Sequence, residues 1–84
     1  MTQEFTQQLL ECIAKTLHKP VETYRLDASF EELGIDSLDG INILFALENE
    51  FGIQIPDDAA RNVKNLGEMA QGVWKLVEAK GAPA

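Results

Sequence analysis

Apolar residues recur every three to four positions in three separate stretches of this chain, and nowhere do they alternate. Phe5, Leu9, Cys12, Ile13 and Leu17 form the first stripe, widened by Leu10. That spacing is the signature of amphipathic helices and excludes a sheet as the organising layer. The first helix is expected over residues 3–18. Thr2 is placed to cap it, His18 and Lys19 suit its negative end, and Pro20 stops it. A second helix is expected over 37–51, with Asp36 as N-cap, Asp39 in the first turn and Gly52 as stop. A short third is expected over 57–62. A fourth is expected over 66–79, where Asn65 and Glu68 have the spacing of a capping box. Its inward face is Leu66, Met69, Ala70, Val73, Leu76 and Val77, with Trp74 packing at its edge. The class is therefore all-α: a small four-helix bundle with three longer helices and one short one, a single domain over 1–84 with a frayed tail at 81–84.

Residues 19–36 join the first two helices. A connection this long is rare in a compact domain unless its own side chains pack. Val21, Tyr24, Leu26, Phe30 and Leu33 supply them, and Phe30 to Leu33 are expected to make one helical turn.

Size and charge narrow the function. Eighty-four residues leave little room for a deep enclosed active site, which favours a binding or carrier module over an enzyme. Fourteen acids against seven bases give a formal charge of −7. Such a surface repels nucleic acid and anionic lipid and attracts partners with basic patches. The longest greasy stretch, Ile41 to Leu47, is too short to span a bilayer, so membrane insertion is not expected. The start, Met1 to Phe5, lacks the pattern of a signal peptide, and a cytoplasmic location is the expectation. Cys12 stands alone, so an internal disulfide and a cysteine-based zinc cluster are excluded; on the inward stripe it reads as a buried, inert thiol. Asp27, Glu31, Glu32, Asp36 and Asp39 lack the glycine and ligand order of an EF-hand loop, so no structural metal is expected.

The second helix is apolar on two sides. Placed at about 100° per residue, Leu38, Ile41 and Phe45 fall together, while Ile43, Leu44, Leu47 and Phe51 cluster opposite. One face must bury against the bundle and the other is surplus. Leu38, Ile41 and Phe45, flanked by Asp36, Asp39 and Glu48, are read as a partner-binding stripe. The competing reading folds the long connection over them. Gly40 costs roughly 1 kcal/mol in a helix interior, and its expected place on the inward side suggests a closer helix approach.

Leu33-Gly34-Ile35-Asp36-Ser37-Leu38-Asp39 sets a serine at the start of this helix. Asp-Ser-Leu alone is a weak signal. Preceded by Leu-Gly, followed by an amphipathic helix and set in a short acidic all-α chain, it resembles the acyl carrier protein family. Leu26-Asp27-Ala28-Ser29-Phe30 before it, and Ala46-Leu47-Glu48 with Phe51-Gly52-Ile53-Gln54-Ile55-Pro56-Asp57 after it, extend the similarity over nearly the whole chain.

The resemblance implies a carrier of acyl intermediates, not a catalyst. A separate phosphopantetheinyl transferase would join phosphopantetheine from coenzyme A to Ser37, with Asp36 and Leu38 beside the arm. The arm's thiol would hold the acyl group as a thioester. A helix N-terminus suits the phosphodiester. The resemblance also implies an acyl cavity, for which Ile43, Leu47, Phe51, Ile55, Ala59 and Val63 are the candidate lining. Acyl-loading and acyl-processing enzymes with basic patches are the implied partners of a monomeric carrier. Compared with common fatty-acid carriers, Asn42, Gln54 and Asn62 are neutral, Arg61 and Lys64 add positive charge, and the interval from Phe30 to Gly34 is one residue shorter, closer to polyketide carriers. Within the family's range of fatty-acid, polyketide and dedicated lipid biosynthesis, these differences point away from the housekeeping fatty-acid role and toward a polyketide or dedicated lipid pathway. A peptidyl or aminoacyl carrier, and an unmodified interaction module in which Ser37 is only a cap and no arm is attached, remain as alternatives.

Overall fold

The computed structural model describes residues 2–56 and 63–80. Three α-helices form among them: α1 (Gln3–Leu17), α2 (Ser37–Phe51) and α3 (Leu66–Ala79). A single 3-10 turn, Val21–Thr23, follows α1. The described residues contain no strand, only a lone antiparallel bridge between Ser29 and Asn65. The all-α class holds, and α3 is the helix expected at 66–79. The short helix expected at 57–62 lies outside the described residues, as does the 81–84 tail. No helix among the described residues is long and apolar enough to cross a membrane.

Each helix start is fixed by a side chain. Thr2 Oγ1 accepts from Phe5 N–H at 3.0 Å, and Asp36 Oδ1 accepts from Asp39 N–H at 2.8 Å. Asn65 Oδ1 accepts from Glu68 N–H at 2.8 Å. Glu68 reaches one residue further back than a capping box requires: its Oε1 accepts from Lys64 N–H at 2.7 Å. Each device answers backbone N–H groups that have no partner inside the helix.

The ends of α1 and α2 are closed by a residue in the left-handed region. At α1 that residue is His18 (φ 58°, ψ 45°), and Lys19 N–H donates back to Ala14 O at 3.0 Å. His18 thus ends the helix by its backbone, with Pro20 two residues beyond. At α2 the residue is Gly52, and both Gly52 and Ile53 N–H donate to Glu48 O. Lys80 Nζ donates to Gly52 O at 2.6 Å, so the last helix also satisfies the end of α2.

The core is continuous across the three helices. Leu9 and Ile13 of α1, Ile43 and Leu47 of α2, and Leu66 of α3 are fully buried. Met69, Ala70 and Val73 complete the inward face of α3, with Leu76 and Val77 half-buried beside them. Trp74 packs as expected, its ring edge-on to Phe5 at 4.9 Å between centroids. Phe5 also meets Phe51 at 5.1 Å. Cys12 departs from expectation: it is half-buried at the edge of the stripe. Burial and then the charge of Glu50 push its thiol up, which disfavours the reactive thiolate.

The long connection is pinned at both faces. Tyr24 and Ala28 are buried. Gly67 N–H donates to Leu26 O at 2.7 Å, Leu66 N–H to Ala28 O at 3.3 Å, and Phe30 N–H to Lys64 O at 3.3 Å. A side chain at Gly67 would bring its Cβ to 2.9 Å from Leu26 O, so only glycine permits this approach. Residues 26–30 are thereby tied to the entry of α3, and the connection does not fold over the outer face of α2.

Candidate functional site

The turn before α2 explains the spacing of the serine motif. Ser29 and Glu32 bond reciprocally: Ser29 N–H donates to Glu32 Oε1, and Glu32 N–H to Ser29 Oγ, each at 3.0 Å. These bonds hold the Glu32 carboxyl below its usual range, the backbone N–H of Ser29 first and its hydroxyl second. The expected turn at Phe30 to Leu33 follows. Gly34 closes it at φ +71°, a conformation that disfavours residues with a Cβ. Gly34 N–H donates to Glu31 O at 3.1 Å and Ile35 N–H to Phe30 O at 2.9 Å, the paired bonds of a left-handed helix stop. Ile35 then plugs into the core, Asp36 caps α2, and Ser37 emerges as its first residue.

Ser37 is exposed. Asp36 occupies the N–H of Asp39 with its side chain and that of Gly40 with its carbonyl, the latter at 2.9 Å. The N–H groups of Ser37 and Leu38 have no partner within the helix, which leaves the positive end of the helix dipole at the serine. His18, the one histidine of the chain, caps the C-terminus of α1 and does not line the groove beside the serine.

The residues expected on the partner face divide in two. Leu38 is 66% exposed, Ile41 49% and Phe45 61%, the large apolar side chains that stand out from the described surface. Asp36 is exposed beside them, and Asp39 is half-buried. Glu48 is half-buried too, with its Oε2 accepting from Ile55 N–H at 2.8 Å. It anchors the connector after α2 as well as carrying charge. Among the described residues one ion pair forms, Arg25 with Asp27 at 3.8 Å on the surface, and no described cation pairs with Asp36 or Asp39.

A groove of about 630 Å³ opens along α2 beside the serine. Asp36, Ser37, Gly40, Ile41, Leu44, Phe45 and Glu48 form one wall, a stripe at helical spacing. Phe30, Ile35, Ile55, Val63 and Met69 face it. Two members of the expected cavity lining, Ile55 and Val63, are in this groove. Ile43 and Leu47 are packed into the core instead, because α2 turns that sector inward. Phe51 is stacked on Phe5, and Ala59 lies outside the described residues. The wheel found two apolar sectors but missed the third, at Gly40 and Leu44 between them. Stepping by three, four and seven residues from Ser37 would have found it. Gly40 also departs from its expected packing role: a Cβ there would meet no heavy atom within 4 Å.

Tyr24, buried to 3% exposure, leaves its hydroxyl without a hydrogen-bond partner. Burial first, and the charge of Asp39 second, push this phenol up. Among the described residues, no group of three or more His, Cys, Asp or Glu side chains gathers as metal ligands.

An exposed serine at a helix N-terminus, opening on an apolar groove, suits attachment of an anionic linker that ends in an apolar cargo. Comparison with known proteins agrees. The family described as "Phosphopantetheine attachment site" matches residues 7–73. The acyl carrier proteins of Rickettsia canadensis (strain McKiel) and Rickettsia rickettsii (strain Iowa) are each 37% identical to this chain over 71 residues, covering 83% of this chain and 83% of their own. That of Rickettsia typhi (strain ATCC VR-144 / Wilmington) is 36% identical over 69 residues, covering 81% and 80%. With a family match across most of its length and relatives at this identity, the chain belongs to the acyl carrier protein family, whose cofactor is phosphopantetheine.

Proposed function

We propose that this chain is a non-catalytic carrier whose phosphopantetheine arm is joined to the hydroxyl of Ser37, and that residues 1–84 work as one monomeric domain. The observation that supports this most is the exposed Ser37 on the rim of the groove, at the unpaired N-terminus of α2. When attached, the arm supplies a thiol that holds an acyl group as a thioester. The chain's own residues do the rest. Ser37 would offer its oxygen to the pantetheine-bearing phosphorus of coenzyme A, the Ser O–P bond forming as the diphosphate P–O bond breaks and the adenosine bisphosphate portion leaves. The serine proton would be taken by the transferase. The N–H groups of Ser37 and Leu38, unpaired within the helix, would help to hold the resulting phosphodiester charge.

Recognition falls to the outer face of α2. Leu38, Ile41 and Phe45 offer apolar anchors, and Asp36, Asp39 and Glu48 give the negative rim. A basic partner gains rate of encounter from the charge and affinity from the buried side chains, each worth about 1.5–3 kcal/mol if fully covered. Salt should weaken the first contribution more than the second. Asn42 on this helix, and Gln54 and Lys64 near it, replace or offset acids of common fatty-acid carriers, which supports a polyketide or dedicated lipid pathway.

Incubation with coenzyme A and a broad-specificity transferase should add a single phosphopantetheine mass, read by intact mass spectrometry. Ser37→Ala should add none. An unmodified wild-type chain, or labelling that survives the substitution, would remove this reading.

A further inference from the structure

Gly40 stands in the middle of a helix with none of the usual structural reasons for a glycine. Its backbone is ordinary helix, as the positive φ values belong to other residues. Outside its own helix turn, no heavy atom of the described residues lies within 4 Å of where its Cβ would be, so none of them demands the close approach that Gly67 makes. Glycine is disfavoured at such a position relative to alanine. What Gly40 does border is the groove: it lies one turn beyond Ser37, in the same wall as Leu44 and Glu48. A side chain here would project into empty space, and that space is the groove or its mouth.

We propose that Gly40 determines which acyl groups the groove admits: its missing side chain leaves the width that an aliphatic chain occupies between Ser37 and Leu44. This rests on the carrier reading above, since the chain must be tethered at Ser37 to fold back along this wall. Leu44, Ile55, Val63 and Met69 supply the apolar lining further in. A longer side chain at position 40 fills the passage beside the serine while leaving the outer recognition face, Leu38, Ile41 and Phe45, intact.

Gly72 provides the matched control. It too lies inside a helix, α3, with nothing within 4 Å of its Cβ, but it does not line the groove. The experiment compares the arm-only form with hexanoyl- and octanoyl-loaded forms, prepared from the corresponding acyl-coenzyme A and a broad-specificity transferase. Thermal midpoints are read by circular dichroism, and methyl resonances of Leu44 and Ile55 by NMR. In the wild type, acylation should raise the midpoint and move both resonances. Gly40→Ala and Gly72→Ala should each raise the arm-only midpoint, by roughly 4–8 °C at most. Only the Gly40 variants should lose the acyl-dependent rise: by half or more in Gly40→Leu, and by a smaller amount in Gly40→Ala. Should Gly40→Leu fail to fold, Gly40→Ala decides. An undiminished acyl-dependent rise in the folded Gly40 variants, or no rise in the wild type, overturns the proposal. Failure of the wild type to accept the arm at all overturns the carrier reading instead.

Discussion

Two positions in this fold share a backbone conformation but not a residue type, and exchanging them tests the geometry of the turn that delivers Ser37. Gly34 has φ +71° and His18 has φ 58°. An L-residue in the left-handed region costs about 1–2 kcal/mol relative to glycine. Replacing glycine by alanine returns about 0.4–1 kcal/mol through a less flexible unfolded chain. At Gly34 no heavy atom lies within 4 Å of the added Cβ, so no clash enters the sum. Gly34→Ala should therefore cost about 0.5–1 kcal/mol net. His18→Gly should gain a similar amount, because the His18 side chain is exposed and gives up no burial. In a domain of this size each kcal/mol moves the thermal midpoint by roughly 4–8 °C. Against a total stability on the order of 5 kcal/mol, a loss of about 1 raises the unfolded fraction some fivefold. Urea and thermal unfolding followed by circular dichroism would measure both variants, with the urea slope unchanged if only native-state stability has moved. A Gly34→Ala protein as stable as the parent, or a His18→Gly protein less stable than it, would refute the assignment of these residues as left-handed helix stops.

Further outcomes follow from burial. Phe45→Ala should change stability by less than about 0.5 kcal/mol while slowing turnover by partner enzymes, whereas Leu47→Ala should cost about 2–5 kcal/mol and come close to unfolding the chain. Loss of the helical signal in Phe45→Ala would show that the outer stripe is core. The buried Tyr24 phenol is raised in the folded state, so its contribution is complete below the ordinary value of 10 and is lost as pH climbs from there through the raised value. Alkaline unfolding of the parent should therefore begin earlier than that of Tyr24→Phe, and the variant should equal or exceed the parent's stability at neutral pH by up to about 1 kcal/mol. A destabilised Tyr24→Phe would mean that the hydroxyl has a partner.

Much of the architecture could be read directly from residue spacing. The bounds of α2 and α3 follow from Asp36, Gly52 and Asn65 because capping is a local interaction between residues three or four apart. The exposed Leu38, Ile41 and Phe45 were also legible, since a helix apolar on two sides in so small a bundle must leave one side uncovered. The groove lining was not. Whether Ile43 or Leu44 faces open space depends on which distant segment packs opposite, and Phe30, Ile35 and Met69 reach the groove through backbone bonds between residues 26–30 and 64–67 that no local pattern announces. His18 as a left-handed stop was hidden for another reason: histidine is enriched in that conformation but adopts it far less readily than glycine, and the neighbouring Pro20 masked it. The second duty of Glu48 spans seven residues to Ile55, beyond any helical repeat.

The three bonds that fasten residues 26–30 to the entry of α3 have a mechanical consequence. They clamp the platform from which Ser37 projects to the last helix, and Lys80 ties that helix back to the end of α2. On the carrier reading proposed above, Ser37 is thus a fixed post rather than a swivel. In the proposed carrier, a cargo would cover the distance between enzymes by the sweep of its linker and by tumbling of the entire bundle, because the foot of that linker would have no slack to contribute.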